Sequence, residues 1–174
     1  MTNLLAQARA AALNELRAIQ KFPSRTDSRE QAKPPGAKSY VGFALGKVRK
    51  LDEGIVPSRF NPRFTSLHTA ADALMHAIDP DFKYTSIQVN KNMMCSPHRD
   101  SGNAGMSYII GLGDYTGGDL VITHKDGSSD NHDIRNKSLK FDGHEIHHVT
   151  PFKGERYSLV FFTVKTPRAA LAKG

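Results

Sequence analysis

Residues 145–164 read EIHHVTPFKGERYSLVFFTV, and this stretch decides the fold class. A short run from Glu145 to Val149 is followed by a turn with Pro and Gly and then by a longer run, Tyr157 to Val164, rich in β-branched and aromatic residues. Two such runs separated by turn residues predict two β-strands. Side chains alternate along a strand, so the longer run and the residue before it present two faces: Arg156, Ser158, Val160 and Phe162 on one, and Tyr157, Leu159 and Phe161 on the other.

Further runs of the same kind occur upstream. They are short, rich in Ile, Val, Tyr, Phe and Thr, and bounded by Gly, Asp and other turn residues: Tyr40 to Val48, Tyr84 to Val89, Met106 to Leu112, Leu120 to Thr123 and Ser138 to Phe141. The runs of the second half do not alternate with helical segments, which argues against a parallel α/β fold. Many short strands in succession favour a sandwich or a barrel.

Two amphipathic helices are predicted in the first half of the chain. Apolar residues recur at helical spacing from Asn3 to Ile19. A second helix is predicted around Ser66 to Ile78, and it ends before Pro80 because proline cannot continue a helix. We expect both helices to buttress the strands that follow.

Length and composition indicate one globular domain of 174 residues. Hydrophobic residues make up 39% and charged residues 24%, which excludes collagen-like, coiled-coil and wholly disordered chains. Within the single domain, residues 1–174, we assign 1–80 to a buttress of helices and basic linker and 81–166 to the β core. The predicted fold is mainly β with flanking helices.

The sequence also indicates a cellular compartment. Cys95 is the only cysteine, which excludes a disulfide framework and a Cys-rich zinc module and suits a reducing environment. No stretch approaches roughly 18 consecutive apolar residues, and the first residues lack the basic and apolar regions of a signal peptide. We expect an intracellular protein, in cytoplasm or nucleus, with no membrane segment and no obligate protein partner.

Positive charge is concentrated near the N-terminus. Lys and Arg (24) exceed Asp and Glu (17) by seven. Residues 21–50 hold eight basic side chains against two acidic ones, a net charge of +6, and residues 21–38 have no periodicity and read as an extended connection. The stretch is suited to attract a polyanion such as nucleic acid, while a solvated linker is the alternative interpretation.

The segment Pro97-His98-Arg99-Asp100 carries the first chemical signal. Alternate side chains of an extended chain share a face, so His98 and Asp100 point the same way while Arg99 points opposite. A third ligand is needed to hold a metal ion. The best of the downstream histidines is the one whose strand leads directly into the final strand; the candidates are His124, His132, His144, His147 and His148, and we choose His147.

Two histidines and one carboxylate on one side of a metal form the facial triad of non-haem Fe(II) oxygenases, whose open positions admit a keto acid and dioxygen. Arg156 and Ser158 agree with this chemistry. Burying them inside a barrel is costly unless they meet an anionic hydrogen-bonding partner. The far carboxylate of a small dicarboxylic keto acid is such a partner.

Three segments in order resemble the core of the Fe(II)- and 2-oxoglutarate-dependent dioxygenases: His98-Arg99-Asp100, Gly117-Gly118-Asp119-Leu120 and the stretch from His147 to Ser158. The resemblance covers about residues 84–164. It implies a double-stranded β-helix, the cupin-like jelly roll, with flanking helices. It also implies a reaction in which Fe(II), 2-oxoglutarate and O2 hydroxylate a C–H bond with release of succinate and CO2.

The resemblance assigns roles residue by residue. It implies that iron is bound by His98, Asp100 and His147, and that the 2-oxoglutarate carboxylate is bound by Arg156 and Ser158. Asn90 matches an asparagine that touches the cosubstrate in similar oxygenases, with cross-strand hydrogen bonding as the alternative role. His148 is the rival of His147, but strand alternation puts it on the outer face.

Finer details resemble small oxygenases near the TET/JBP group, which oxidise the methyl carbon of 5-methylpyrimidines in nucleic acid. The H-x-D-x-x-N-x-G pattern from His98 to Gly105 and the turn LGDYTGG at residues 112–118 carry this likeness. It implies that Arg99 and Asn103 border the substrate pocket. A flipped base also needs a stacking surface, and the aromatic candidates are Tyr40, Tyr108 and Tyr115.

Other functions stay open at this point. The end pattern H-x-V-x-P…R-Y-S also resembles prolyl hydroxylases, in which case the loop from Asp126 to Asp133 is a candidate peptide acceptor. Hydroxylation of a small molecule is a third possibility. A non-enzymatic jelly roll and a zinc hydrolase are weaker alternatives, since neither gives Arg156 and Ser158 a task.

Overall fold

The computed structural model of the chain describes residues 2–25 and 40–167. Two helices flank the strands: α1, Thr2–Arg17, and α2, Thr65–Ile78. The strands are β1, Ser24–Arg25; β2, Tyr40–Lys50; β3, Gly54–Pro57; β4, Ser86–Lys91; β5, Asn103–Gly117; β6, Leu120–Thr123; β7, Ser129–His132; β8, Ser138–Phe141; β9, Ile146–Val149; and β10, Phe152–Val164. Among the described residues, no helix is both long and apolar enough to cross a bilayer.

The strands form two antiparallel sheets. The large sheet has the order β1-β2-β4-β10-β5-β8, with β3 paired to β2, and the small sheet has the order β7-β6-β9. Strand β10 lies near the middle of the large sheet and pairs with β4 on one side and β5 on the other. This arrangement confirms the predicted mainly β fold with flanking helices.

Two strands lie where the sequence analysis predicted turns or loops. β3 occupies the polar turn after β2, and β7 lies within the predicted loop 126–133. The β7 sequence, SDNH, has low strand propensity, and its conformation comes from pairing with β6 through a tight hairpin that includes Gly127 at φ +85°. Tertiary pairing therefore determines a strand that local composition does not indicate.

The outer face of the large sheet packs against the helices. Tyr157, Leu159 and Phe161 of β10 are fully buried there, in one core with Leu16 of α1 and Leu74 of α2. Phe43 and Phe64 of the same core stack with ring centroids 4.4 Å apart. Burying each large apolar side chain contributes about 1.5–3 kcal/mol, so this core supplies much of the folding free energy.

The inner face of the large sheet faces the small sheet. A second core lies between them, formed by Ile109, Leu120, Ile122, Ile134, Phe141 and Val149. Beside this core is a cavity of about 100 Å³, and Arg156, Ser158, Val160 and Phe162 of β10 line it. The two-residue period of β10 therefore divides its side chains between the helix-covered core and the cavity, as the sequence pattern indicates.

The predicted boundary at residue 80 does not separate two layers. β2 precedes it, yet it pairs with β4 from Gly42↔Asn90 to Gly46↔Ser86 inside the large sheet. Of the helices and strands in the described part of the chain, only α1 and α2 lie outside the sheets. Residues 26–39, which contain most of the predicted extended connection, lie outside the described residues.

Candidate functional site

Three side chains that line the cavity meet in one cluster. His147 Nε2 lies 3.2 Å from Asp100 Oδ2, and His98 Nε2 lies 3.6 Å from Asp100 Oδ1. One potential ligand atom from each residue lies within 4.8 Å of the other two. The His147 side chain is 5% exposed, and those of His98 and Asp100 are 15% and 22% exposed. The structure thus brings together the three residues that the sequence pattern selected as metal ligands.

Backbone pairing brings these ligands together. His98 N–H donates to the His147 carbonyl at 3.1 Å, and His147 N–H donates to the His98 carbonyl at 3.0 Å. Val149 N–H donates to the Cys95 carbonyl at 3.2 Å, so residues 95–98 run beside β9 as an additional antiparallel segment. Asp100 N–H then donates to the Gly143 carbonyl at 2.8 Å. The main chain therefore fixes the position of all three side chains.

Each imidazole is oriented by a carbonyl two residues before it. His98 Nδ1 lies 2.7 Å from the Ser96 carbonyl oxygen, and His147 Nδ1 lies 2.8 Å from that of Glu145. A carbonyl only accepts, so both Nδ1 atoms carry the proton and both Nε2 atoms are turned toward Asp100. Burial lowers the pKa of His147, but the Asp100 carboxylate and the Glu145 carbonyl outweigh burial and raise it.

Arg156 is a buried positive charge that lines the same cavity. The residue is 1% exposed, and its guanidinium donates to the carbonyls of Gly118 at 3.1 Å and Met93 at 3.4 Å. The rings of Tyr115 and Phe152 each lie 5.5 Å from Cζ. Among the described residues it has no carboxylate partner, and its Nε has no hydrogen-bond acceptor. Burial lowers the pKa of Arg156, and the nearby Tyr115 side chain and Asp119 carboxylate oppose this effect without reversing it. Arginine stays protonated in proteins, so the site presents a buried cation that forms no salt bridge with a described residue.

Two residues that the sequence analysis did not select as site residues hold Arg156 in place. The side-chain Oδ1 of Asn92 accepts the Arg156 backbone N–H at 2.9 Å, and the Asn92 N–H donates to the Arg156 carbonyl at 2.7 Å. Asn92 has φ +50°, a conformation that asparagine tolerates better than most residues. Asn92 therefore acts as a brace for the Arg156 backbone.

Gly118 is the second residue that holds Arg156 in place. It adopts φ +69°, and a Cβ there would lie 2.7 Å from Arg156 Nε and 2.9 Å from its Cδ. Glycine is therefore required for two reasons, the left-handed backbone and the close approach of the guanidinium. The segment Gly117-Gly118 was part of the sequence resemblance, but its contact with Arg156 depends on the folded chain.

A polar row on the large sheet connects β4 to β10. Asn90 Nδ2 donates to Ser158 Oγ at 3.0 Å, and Gln88 Nε2 donates to Asn90 Oδ1 at 3.0 Å. All three residues line the cavity. A Cβ on Gly42, directly across from Asn90, would lie 2.9 Å from Asn90 Oδ1, so this glycine gives the amide its space.

The cavity joins the three-residue cluster to Arg156 as one space. Its remaining wall is mostly apolar, with Ile109, Leu120, Phe141, Val149 and Val160 among the lining residues. Cys95 also lines it, and burial raises the pKa of this thiol to about 11, so it stays protonated near neutral pH. Asn103 also lines the cavity and is 9% exposed.

Arg99, which is predicted to border the substrate pocket, lies outside the cavity lining. This side chain is exposed, does not line the cavity, and donates from Nη1 to the His144 carbonyl at 2.9 Å. Strand alternation directs Arg99 to the face opposite His98 and Asp100, and the hydrogen bond to the His144 carbonyl holds it there. Arg99 therefore braces the loop before β9, and Asn103 is the member of the predicted pair that reaches the cavity.

Only one of the three candidate stacking tyrosines lines the cavity, namely Tyr40. Tyr108 packs edge-on against Phe82 on the helix side of the large sheet and donates to Asp79. Tyr115 is buried beside Arg156 and outside the cavity lining. His148 pairs with Val121 on the small sheet and also stays outside the cavity, as strand alternation predicts.

The basic stretch 21–50 is only partly described, because Arg29, Lys33 and Lys38 lie outside the described residues. Arg49 and Lys50 stand at the far end of β2 from Tyr40, and Lys50 pairs with Glu53. At about 3.3 Å per residue, Arg49 is roughly 30 Å along the strand from the cavity-lining Tyr40. None of the described basic residues of the stretch lines the cavity.

No protein-family model matches the chain, and no curated protein matches it. Solved structures do match. An oxidoreductase of the 2OG-Fe(II) oxygenase family from Burkholderia pseudomallei superposes with a TM-score of 0.61 at 15% identity, over 88% of this chain and 77% of that one. The fold is that of the 2OG-Fe(II) oxygenases.

Two further solved structures share this fold. NgTET1 in complex with 5mC DNA has a TM-score of 0.56 at 14% identity, over 99% of this chain and 76% of that one. A prolyl hydroxylase from Trichoplax adhaerens, in complex with a hypoxia inducible factor peptide fragment, has a TM-score of 0.52 at 13% identity, over 92% and 77%. The predicted double-stranded β-helix is thus confirmed, and at these identities the likeness establishes the fold alone.

The bracing of Arg156 by Gly118 gives a stability prediction with a matched control. Gly118 and Gly105 have nearly the same φ, +69° and +68°, but a Cβ at Gly105 would meet nothing within 4 Å. Replacing either by Ala costs about 1–2 kcal/mol for the left-handed backbone. Gly118→Ala should cost at least about 1 kcal/mol more, because its methyl overlaps Arg156. Urea unfolding of both variants measures the difference, and equal losses would contradict the tight packing.

Proposed function

We propose that this chain is an Fe(II)- and 2-oxoglutarate-dependent dioxygenase that hydroxylates a C–H bond. The observation that carries the proposal is one cavity that joins two histidines and a carboxylate to a buried, unpaired Arg156. In the reaction, one oxygen atom of O2 enters the substrate C–H bond and the other enters succinate, while 2-oxoglutarate loses CO2. The preferred substrate is the methyl group of a 5-methylpyrimidine base in nucleic acid.

The donor set suits Fe(II). His98, Asp100 and His147 offer two imidazole nitrogens and one carboxylate from one side, with no thiolate in the cluster. The Ser96 and Glu145 carbonyls already fix the two imidazoles in the tautomer that a metal requires. Bound there, Fe(II) supplies open positions at which a keto acid and dioxygen react together.

Arg156 suits the far carboxylate of 2-oxoglutarate. A buried guanidinium without an anion is costly, and a carboxylate that enters the cavity restores the missing charge and accepts hydrogen bonds. Ser158 and Asn90 line the same cavity, and because Ser158 Oγ accepts from Asn90, its hydroxyl proton can be donated to the same carboxylate. These residues bind and orient the cosubstrate, while the apolar wall excludes water.

The lining favours a neutral, hydrogen-bonding substrate. Apart from the triad and Arg156, no ionisable carboxyl, Lys or Arg side chain lines the described cavity, but the amides of Gln88 and Asn103 do. The Asn103 main chain is hydrogen-bonded to Asp100 and His144, but its side-chain amide makes no hydrogen bond to a described residue. A pyrimidine base presents donors and acceptors that an amide can satisfy, whereas a prolyl ring presents none. NgTET1, one of the structures that share the fold, is bound to 5mC DNA.

A protein hydroxylase is the second candidate, and one observation favours it. β7 is an edge of the small sheet, paired only with β6 among the described strands, and most of its residues are exposed. Such an edge can accept an extended peptide as an additional strand. The prolyl hydroxylase that shares the fold is bound to a peptide fragment. Small-molecule hydroxylation by the same centre remains the third alternative.

The choice of His147 over His148 predicts opposite outcomes for two neighbouring variants. His147→Ala should reduce Fe(II)-dependent conversion of 2-oxoglutarate to succinate by more than the roughly 100-fold that loss of an outer contact of a metal site costs. His148→Ala should retain the conversion, because its side chain lies outside the cavity. Succinate formation under air after anaerobic loading with Fe(II) is the measurement. The reverse pattern would refute the ligand assignment.

The role of Arg156 predicts a change in cosubstrate affinity. Arg156→Met should raise the KM for 2-oxoglutarate roughly 30-fold or more, since removing one partner of a buried charge pair costs about 2–5 kcal/mol. Arg156→Lys keeps the charge but loses the planar fork, so its KM should lie between those of the wild type and Arg156→Met. An unchanged KM in Arg156→Met would remove Arg156 from the cosubstrate site.

The substrate proposal predicts oxidation of nucleic acid that depends on Asn103. A DNA oligonucleotide with 5-methylcytosine should gain one oxygen atom, measured by mass spectrometry beside unmodified DNA, RNA and a cell peptide extract. Asn103→Ala should lower kcat/KM for the oligonucleotide about 10-fold or more, because a hydrogen bond to the base is lost. The exposed neighbour Ser101→Ala is the control. Oxidation confined to the peptide extract would favour the protein hydroxylase instead.

A further inference from the structure

A second cluster of ionisable side chains lies next to the candidate metal centre. His124, directly after β6, contacts a carboxylate on each side: Nδ1 lies 2.8 Å from Glu145 Oε1, and Nε2 lies 2.7 Å from Asp130 Oδ2. The His124 side chain is 34% exposed, and none of the three residues lines the cavity. The proposed reaction assigns this cluster no task.

The two contacts require a charged imidazole. A carboxylate oxygen can only accept, so each ring nitrogen of His124 must donate a proton, and an imidazole that donates from both nitrogens is an imidazolium. The hydrogen bonds to Glu145 and then Asp130 raise the pKa of His124 to about 9. Near neutral pH the ring therefore holds both carboxylates at once.

The cluster connects to a metal ligand through the main chain. Across β6 and β9, Ile122 pairs with His147 and Thr123 with Ile146, which brings His124 beside Glu145. The carbonyl of Glu145 is the acceptor for His147 Nδ1–H at 2.8 Å. Glu145 precedes β9, where the ladder of β6 and β9 has ended. Its backbone N–H donates to the Asp142 carbonyl at 3.1 Å, and the His124 side chain provides a second anchor through the Glu145 carboxylate.

We propose that His124 is a positioning residue for the metal centre: its imidazolium anchors the Glu145 side chain and thereby fixes the carbonyl that orients His147. This inference rests on the proposed metal-binding role of His147. Outer contacts that orient a metal-bound histidine typically contribute 10–100-fold to metal affinity. His124 acts on His147 indirectly, through Glu145, so we expect its effect on metal affinity to lie near the lower end of this range, at about 10-fold.

Co(II) binding to the metal-free full chain tests the proposal without requiring turnover. His124→Ala should weaken the Kd for Co(II) about 10-fold and alter the Co(II) absorption spectrum. It should also speed solvent exchange of the His147 Nδ1 proton, followed by NMR in the metal-free protein. Glu145→Ala keeps the carbonyl but loses the anchor, and it should reproduce all three changes. Lys125→Ala, in the same exposed turn, is the control and should change none of them.

The outcomes distinguish the positioning role of His124 from the metal site itself. If the wild type binds Co(II) while His124→Ala and Glu145→Ala keep its affinity, spectrum and exchange rate, the positioning role is refuted and the metal site stands. A loss of thermal stability with unchanged Co(II) affinity and spectrum would likewise refute it, because that pattern marks a purely structural contact. If the wild type itself fails to bind Co(II), the proposed metal site is wrong and the role of His124 falls with it.

Discussion

A buried positive charge without a described anionic partner is the constraint around which the interior is arranged. Arg156 lies on a central strand of the large sheet and is 1% exposed. The surrounding chain supplies partial compensation: carbonyls from Met93 and Gly118, aromatic faces from Tyr115 and Phe152, and a glycine where a side chain would collide. These groups accept hydrogen bonds and polarise toward the cation but leave its net charge intact. The fold thus retains an electrostatic cost that binding of an anion can relieve.

The same strand serves stability and chemistry through its two faces. One face of β10 packs against the helices through Tyr157, Leu159 and Phe161. This packing fixes the strand and so determines where Arg156 and Ser158 project on the opposite face. A site on a central strand is held more precisely than a site on a loop, because the register with both neighbouring strands leaves little freedom. The arrangement also means that repacking of the helix-covered core would be felt in the cavity.

The sequence predicts the features that depend on local period and order, and misses those that depend on distant contacts. The two faces of β10 follow from strand alternation. The grouping of His147 with the earlier His-x-Asp segment follows from its order just before the final strand and from the resemblance to the Fe(II) dioxygenases, and the structure brings these residues together. β7 was missed because SDNH becomes a strand only by pairing with β6. The brace from Asn92 to Arg156 was missed because it joins positions 64 residues apart. No spacing rule identifies such a pair.

The mutual backbone pairing of His98 and His147 has a thermodynamic consequence. The two residues are 49 positions apart, and the chain between them carries β5 through β8. A ligand that binds both side chains therefore acts as a reversible crosslink that closes a long loop. Like a disulfide, it lowers the conformational entropy of partly unfolded states. Ligand binding would first suppress the local opening of residues 95–100. The edge of the sheet would therefore be more rigid when the site is occupied than when it is empty.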